Sequence, residues 1–216
     1  MTDPIRFMRP LQKEPFGGHP ADQPQLNASK HKLRVKDRLP VPWTGPLLTA
    51  DVYILLANPG HRRGDTKRDK QKDYQDYWRS MIRTGKKPMI GLVTGSVNEV
   101  TWWDRILKGI FESREEAAKR VCGLEFCMYA SKDTSAWPPI VRFGGLASQR
   151  VMKDYLHDVL VPRATKGNCL IVCPRAFNEW GLIDGVYRNV VVDPQRGGWV
   201  TRNTKGGRAI LEFLGR

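Results

Sequence analysis

Four apolar segments of the chain have the length and composition of buried β-strands. They are rich in β-branched and aromatic residues and are bounded by proline, glycine, asparagine or aspartate. These segments cover residues 51–57, 123–131, 168–173 and 189–193. Helical segments separate them, which is the pattern of parallel strands joined by right-handed crossovers. The sequence therefore predicts an α/β fold, a three-layer α/β/α sandwich around a central four-stranded parallel sheet.

The clearest helical pattern follows residue 101, where large apolar residues recur at steps of three and four. These residues are Trp102, Trp103, Ile106, Leu107, Ile110 and Phe111. We expect this stripe to pack on the sheet, which is a commoner role for such residues than stacking on bases. Further helices are predicted over 74–83, 147–161 and 208–214, with a helical turn over 175–182.

Residues 1–39 are different in character, because they are rich in Pro, Gly, Lys and Arg and include a basic run over 30–38. We expect an extended basic arm that contributes little to the core, with His19 and His31 exposed. A single domain would then occupy residues 40–216. The arm would either dock on DNA or remain solvated, and the sequence leaves both open.

The charge balance narrows the choice of partners. The chain has 36 Lys+Arg against 22 Asp+Glu, a formal net charge of +14. Such an excess attracts polyanions, of which nucleic acid is the commonest, although a ribosomal partner or membrane headgroups stay open. No apolar run approaches the roughly 20 residues of a membrane span, and residues 1–10 do not resemble a signal peptide. We expect an intracellular, cytoplasmic protein, nucleoid-associated if bacterial, and we assume a monomer.

The four cysteines give no sign of a metal site. Cys122, Cys127, Cys169 and Cys173 form no Cys-x-x-Cys pair and have no histidine at ligand spacing. Cys169 and Cys173 lie four apart in a predicted strand, so they share one face as small apolar residues. The sequence therefore predicts neither zinc nor an iron–sulfur cluster, and no cofactor.

The first predicted strand ends at Asn58-Pro59-Gly60. Proline cannot continue a ladder and glycine adopts conformations closed to other residues, so an amide side chain is presented where the strand stops. In open α/β sheets, ligands bind at the carboxyl ends of the strands. The alternative is a strand-ending turn with no further role.

Two polar loops follow predicted strands. The loop after Gly60 carries six cations, which favour either phosphate binding or a solvated face: Arg62, Arg63, Lys67, Arg68, Lys70 and Lys72. The loop over 194–207 follows the last strand and contains four glycines, with Thr204 as a predicted helix cap. Backbone amides near a helix amino end suit an oxyanion or phosphate, although the spacing is not that of a Walker loop.

Together these motifs resemble the uracil-DNA glycosylase superfamily, especially its mismatch-specific and single-strand-selective branches. The resemblance rests on Pro-Val-Pro-Trp-Thr-Gly at 40–45, the apolar strand 52–57 and the Asn-Pro-Gly that follows. It extends from near residue 40 to the carboxyl end, with the second motif placed in 194–207. Asp193-Pro194 stands where the family commonly has His-Pro or Asn-Pro, and Leu55-Leu56-Ala57 where relatives often have a glycine.

The resemblance implies a metal-independent DNA glycosylase that hydrolyses the N-glycosidic bond of uracil or another deaminated base during base excision repair. Asn58 would position the attacking water, and Asn203, Arg196 or Arg202 would donate to the departing base. Implied base contacts, with Tyr129 as the stacking aromatic, are Ala57, Pro59, Gly60, His61, Tyr129 and Ser131. Implied DNA contacts are Arg62, Arg63, Arg196, Arg202, Thr204 and Lys205. The partner would be single- or double-stranded DNA.

Two other functions remain open from the sequence. One is a catalytically weak or inactive module that binds nucleic acid or a nucleotide on the same fold, which Asp193 favours. The other is a small-molecule enzyme on a flavodoxin-like sheet, which would have no salt-sensitive affinity for DNA.

Overall fold

A computed structural model of the chain describes residues 3–28, 31–62, 64–93, 101–195 and 198–216. Its sheet has five strands within these ranges: β1 Trp43–Thr44, β2 Val52–Leu56, β3 Val121–Glu125, β4 Leu170–Cys173 and β5 Val190–Val192. Their order is β1-β3-β2-β4-β5, with the last four parallel and β1 antiparallel to β3. The α/β class is confirmed, and the sheet is mixed because the two-residue β1, which the sequence did not predict, adds an antiparallel edge.

Helices connect the strands. The α-helices of the described residues are α1 Pro4–Met8, α2 Gln23–Asn27, α3 Asp65–Asp69, α4 Lys72–Thr84, α5 Ile90–Val93, α6 Trp102–Ile106, α7 Arg114–Arg120, α8 Pro139–Arg142, α9 Ala147–Tyr155, α10 Val161–Thr165, α11 Phe177–Trp180 and α12 Lys205–Phe213. A π-helical turn, Leu156–Leu160, joins α9 to α10, and short 3-10 turns cover Arg9–Gln12, Pro20–Asp22 and Thr134–Ala136. None of the helices in these ranges is both long and apolar enough to cross a membrane.

Side chains of the strands alternate between two cores. Tyr53 and Leu55 of β2 point into a first core with α1, α4 and α9. Val52, Ile54 and Leu56 point into a second core with α6, α7 and α12. Helices therefore cover both faces of the sheet, which is why its central strands are apolar throughout.

The apolar stripe after residue 101 packs as predicted. Trp103, Ile106, Leu107 and Ile110 are buried in the second core. A Cβ at Gly123 of β3 would lie only 2.5 Å from the Trp103 ring, so glycine at this position makes room for the indole. The prediction that these aromatics serve packing is confirmed.

The amino-terminal segment is part of the same packed body. Met8, Leu11 and Leu26 are buried in the first core, and His19 is also buried. The expectation of an extended arm with little core and an exposed His19 is therefore wrong. The apolar residues of the segment are spread among prolines and basic residues without helical or strand periodicity, so no pattern indicated which surface they pack against.

The bounds of β3 also differ from the prediction, because the strand ends at Glu125 and the predicted strand continued to residue 131. Beyond Glu125 the chain stays apolar because the amino-terminal segment covers it. The amide of Arg34 donates to the carbonyl of Ala130, and the amide of Val41 donates to that of Met128. Burial by a distant segment thus explains the apolar run after the strand has ended.

The four cysteines are buried free thiols. Cys169 and Cys173 both pack in the first core, so the prediction that they share one face as small apolar residues is confirmed. Burial raises the pKa of the Cys169 thiol to about 11, which keeps it protonated and unreactive at neutral pH.

Candidate active site

Asn58 lies at the carboxyl end of β2, between the ends of β3 and β4, and its amide orientation is fixed. Its Nδ2 donates to the carbonyl of Pro59 and to Oγ of Ser131, each at 2.9 Å. Because a carbonyl oxygen can only accept, the nitrogen must face Pro59 and both amide hydrogens are used. Among the described residues, Oδ1 of Asn58 has no hydrogen-bond partner. This oxygen is the group that can accept from a water or ligand.

Ser131 is buried beside Asn58 and holds the amide in place. It is 1% exposed, its Oγ donates to the carbonyl of Asp133 at 2.8 Å, and its amide donates to the carbonyl of Pro59 at 3.2 Å. The hydroxyl hydrogen is therefore used, and Asn58 occupies one of its lone pairs. The structure brings the two predicted site residues together, with Ser131 orienting Asn58.

The loop after β2 is clamped by a buried ion pair. Nε of Arg38 donates to Oδ2 of Asp69 at 2.6 Å, and these side chains are only 3% and 1% exposed. Nη1 of Arg38 donates to the carbonyl of Gly60 at 3.4 Å and lies 3.1 Å from Nδ1 of His61. A guanidinium only donates, so Nδ1 of His61 accepts, and the ring is turned toward Arg38. The basic run of the amino-terminal segment thus positions the loop beside Asn58.

Ala57 and Gly60, on either side of Asn58, differ in burial and in the space around them. Ala57 is buried, and its carbonyl accepts from the amide of Cys127 at 2.8 Å, so its backbone oxygen is already engaged. Gly60 is exposed, and a Cβ built there would meet nothing within 4 Å. A side chain at position 60 would therefore point into open space.

Tyr129 does not belong to this site. It is 1% exposed, its hydroxyl donates to Oδ2 of Asp22 at 2.8 Å, and it accepts from the amide of His19 at 3.0 Å. Burial and the neighbouring Asp22 carboxylate raise the pKa of the Tyr129 hydroxyl far above its usual value. An enclosed ring offers no face to a base, so the stacking role predicted for Tyr129 is withdrawn. Trp199, on the segment between β5 and α12, is a 43% exposed aromatic that the sequence analysis did not single out.

Asp193 directs its charge into the amino end of α12. Its Oδ2 accepts from the amide of Gly206 at 2.7 Å, and its Oδ1 accepts from Nε2 of Gln195 at 2.8 Å. Thr204 caps the helix as predicted, with Oγ1 accepting from the amide of Gly207 at 3.0 Å. These glycine amides, expected to hold an external oxyanion, are thus satisfied by side chains of the chain itself. Thr204 also donates to the carbonyl of Thr201, so its hydroxyl is engaged too.

The remaining predicted residues lie around this edge without touching Asn58. Arg62, Arg202, Asn203 and Lys205 are exposed, and Nζ of Lys205 pairs with Oδ2 of Asp184 at 2.5 Å. No hydrogen bond joins Asn58 to Asn203 in the described part of the chain. The predicted contacts Arg63 and Arg196 lie outside the described residues.

Glu125 is the feature that the sequence analysis missed. It ends β3 directly opposite Leu56 in the parallel register, it is 7% exposed, and its Oε2 has no hydrogen-bond partner among the described residues. Burial raises its pKa to about 8, an effect that the nearby Arg175 partly offsets. A buried carboxyl without a partner at a ligand-binding edge is a signal of function. A lone charged residue within the apolar run GLEFCMYA could have revealed it.

Arg175 follows β4 and reaches the segment that follows β5. A Cβ built on Gly198, whose φ is +75°, would lie 3.1 Å from Cδ of Arg175 and 3.8 Å from Cδ2 of Leu56. The side chains of Arg175 and of Leu56, the register partner of Glu125, therefore both approach Gly198. We call Asn58, Glu125, Ser131 and Arg175 the polar edge of the sheet.

A cavity of about 600 Å³ opens next to the polar edge, at the end of β5. Its lining is Phe177, Asn178, Leu182, Ile183, Asp184, Val192, Asp193, Pro194 and Lys205. Of the predicted site residues that the structure describes, only Lys205 lines it, so the cavity is a neighbour of the polar edge and not its centre. Within the described ranges, no group of three or more His, Cys, Asp or Glu side chains is arranged to hold a metal ion.

Comparison with known proteins finds no family model, no curated protein and no solved structure that matches the chain. The family resemblance therefore stays a prediction, based on the residues that carry it.

Proposed function

We propose that the chain is a DNA glycosylase that hydrolyses the N-glycosidic bond of uracil or another deaminated base, on a fold like that of the uracil-DNA glycosylase superfamily. The observation that carries this proposal is the fixed amide of Asn58, which presents Oδ1 at the carboxyl end of a central parallel strand. The parallel order β3-β2-β4-β5 supports it, because the two motifs of the resemblance then follow β2 and β5 at the same edge.

The chemistry needs a water held against the sugar while the base departs from the other side. Oδ1 of Asn58 suits this role because Pro59 and Ser131 hold the amide hydrogens away from the water. An amide is a poor general base, so it orients the water without removing its proton early. We expect a slow enzyme compared with one that has aspartate at this position.

The second requirement is that negative charge on the departing base must not meet a like charge. Asp193 would oppose such charge if its carboxylate faced the base. Its hydrogen bonds to Gly206 and Gln195 support a different role, in which the carboxylate compensates the dipole of α12. Arg202 and Asn203, both exposed in the turn before α12, are the proposed donors from this side.

The surface and the space around Asn58 fit a DNA substrate. The excess of cations gives the chain an affinity for phosphates, and Arg62 and Arg202 are exposed on the loops after β2 and β5. Open space at Gly60 would admit bases larger than uracil. The proposal therefore includes hypoxanthine and xanthine among the bases to be tested.

A base-release panel tests this proposal. The protein is incubated with single- and double-stranded oligonucleotides that contain uracil, hypoxanthine or xanthine, and alkali-labile abasic sites are measured. We expect cleavage of at least one substrate. Absence of base release on all of them contradicts the proposal: a salt-sensitive gel shift without release selects the binding module, and absence of salt-sensitive DNA affinity selects the small-molecule enzyme.

A further inference from the structure

The carboxyl group of Glu125 is in a costly position unless a ligand meets it. It is more than nine-tenths buried, and its Oε2 lacks a hydrogen-bond partner in the described part of the chain. A buried polar group that makes no hydrogen bond destabilises the folded state, because it has lost its contact with water without gaining a partner. Such a group is tolerated where binding later satisfies it.

Glu125 lies on the same face of the sheet as the side chains of β2 that lead to Asn58. Val121 and Leu56 pack in the second core, and Gly123 lies against Trp103 of that core. By strand alternation, Glu125 shares this face with Leu56, its partner in the register. Asn58 is two residues beyond Leu56, so both residues stand at the carboxyl edge of the sheet. Arg175 and the same leucine both approach Gly198, and the charge of Arg175 acts on Glu125.

We propose that the carboxyl group of Glu125 recognises the base, by hydrogen-bonding a ligand edge that presents an N–H donor and a carbonyl acceptor side by side. Uracil presents such a cis-amide edge at N3–H and O4, and hypoxanthine presents one at N1–H and O6. This assignment rests on the proposed function, which supplies a base at the polar edge.

The protonated carboxyl has the complementary chemistry. It offers one O–H donor and one carbonyl acceptor, whereas the carboxylate can only accept. Because burial raises the pKa of Glu125 to about 8, the group keeps its proton at neutral pH. Arg175 is the charged group that acts on it, and the titratable thiol of Cys127, two residues along, is itself kept protonated by burial.

The same hydrogen bond has a consequence for cleavage. Negative charge gathers on the carbonyl oxygens of the base as the glycosidic bond breaks, and the Glu125 O–H donates to one of them. A donor aimed at developing charge in a buried site is worth more in the transition state than in the ground state. Glu125 would thereby supply the donation that Asp193 cannot make.

Binding of the free base tests the proposal without requiring catalysis. Uracil and 3-methyluracil are titrated into the wild type, Glu125→Gln and Glu125→Leu, followed by heteronuclear NMR at pH 6.5. Glutamine keeps one donor and one acceptor, so we expect it to bind uracil within about threefold of the wild type. Leucine removes both, and we expect at least about tenfold weaker binding. The methyl group of 3-methyluracil blocks the N3–H donor, so this base should bind the wild type about tenfold more weakly than uracil.

Three results would overturn the proposal: no uracil binding by the wild type, equal binding of uracil and 3-methyluracil, or unchanged binding in a folded Glu125→Leu. The 3-methyluracil comparison uses the wild type alone, so it decides even if Glu125→Leu does not fold. The base-release panel on the same proteins separates the two hypotheses. If cleavage does not depend on Glu125, the role of Glu125 in base recognition is wrong and the glycosylase proposal stands. If uracil binding depends on Glu125 but no substrate is cleaved, the glycosylase proposal is wrong and the role of Glu125 stands.

Discussion

At the scale of residues, two neighbours fix the orientation of the Asn58 amide. Pro59 supplies an acceptor-only carbonyl, and Ser131 supplies an oxygen whose hydrogen is already committed to Asp133. The amide therefore has one orientation, with Oδ1 outward. A group that positions water needs a fixed orientation, because a misplaced reacting group lowers the rate of the chemical step without weakening substrate binding.

Replacing Ser131 with alanine tests this orientation. Loss of Oγ leaves one amide hydrogen of Asn58 without its partner, so the amide is held only by its hydrogen bond to the Pro59 carbonyl and is less firmly oriented. We expect the single-turnover rate of base release to fall about tenfold while DNA affinity stays near the wild-type value. Ser135→Ala is the matched control, since Ser135 is exposed and contacts Asp133 without touching Asn58. A Ser131→Ala variant that cleaves at the wild-type rate contradicts the assignment.

Glu125 makes a second prediction at this scale, through the pH dependence of stability. Its pKa rises from an ordinary 4.5 to about 8 on folding, so the folded state holds a proton that the unfolded state has lost between these values. Stability due to this group is full below about pH 4.5 and decreases as pH rises toward 8. Relative to the wild type, Glu125→Gln should gain on the order of 4 kcal/mol between pH 4.5 and 8.5. Urea unfolding at both pH values measures this gain, and a pH-independent difference contradicts it.

At the scale of elements, contacts between distant segments set the loops of the site. The loop after β2 is held by Arg38 from the amino-terminal segment and Asp69 from α3. The amino end of α12 is held by Asp193, which follows β5. Each arrangement joins residues far apart in sequence, which is why neither was visible as a motif.

Arg38→Met tests the clamp of the loop after β2. The methionine keeps much of the apolar stem but leaves Asp69 buried without its main cation. We expect the free energy of unfolding to fall by about 3 kcal/mol in urea denaturation. Arg34→Met is the control, because Arg34 forms only an exposed pair with Asp37 and should change stability by less than about 1 kcal/mol. Equal effects of the two variants would contradict a clamp at Arg38.

Asp193→Asn tests the role assigned to the carboxylate. Asparagine keeps an acceptor for the amide of Gly206 but loses the charge that compensates the helix dipole. We expect a loss of about 1 kcal/mol in unfolding free energy and no increase in the rate of base release. A variant that releases the base markedly faster would place the Asp193 charge against the departing base, contrary to this account.

The sequence predicted β2, β4 and β5 to within about two residues because turn-forming residues bound them. It missed β1, which has two residues, and extended β3 through 126–131, where burial comes from the amino-terminal segment. In the site, the position of Asn58 was predictable because the apolar strand and the Pro-Gly that follows it are neighbours in the sequence. The roles of Tyr129, Glu125 and Asp193 depend on tertiary partners, which no local pattern specifies.

At the scale of the whole molecule, residues 3–28 and 31–39 belong to the body that builds the site. Asp22 is fully buried and accepts from the hydroxyl of Tyr129 and from the amide and hydroxyl of Ser148. Arg38 reaches the loop beside Asn58. The segment that was predicted to be an accessory arm thus joins the stretch after β3, α9 and the candidate active site.

Deleting residues 1–28 tests this integration. The deletion removes Met8, Leu11 and Leu26 from the first core, each worth about 1.5–3 kcal/mol of burial, and leaves Tyr129 and Ser148 without Asp22. The loss is comparable with the total stability of about 5–15 kcal/mol usual for a domain. We expect the truncated protein to show no cooperative thermal transition. The control is Lys32→Ala, an exposed change in the same segment, which should have the melting temperature of the wild type. A truncated protein that unfolds cooperatively would show that the segment is an accessory arm.

The role of Asn58 is tested by single-turnover cleavage of a uracil-containing single-stranded oligonucleotide by the wild type and Asn58→Ala. The account predicts alkali-labile cleavage at the uracil by the wild type and a rate at least about 100-fold lower in Asn58→Ala, with equal affinity for the oligonucleotide. Cleavage at the same rate by both proteins would contradict the role of Asn58. Binding without cleavage by the wild type on this and every other substrate of the panel would contradict the glycosylase itself.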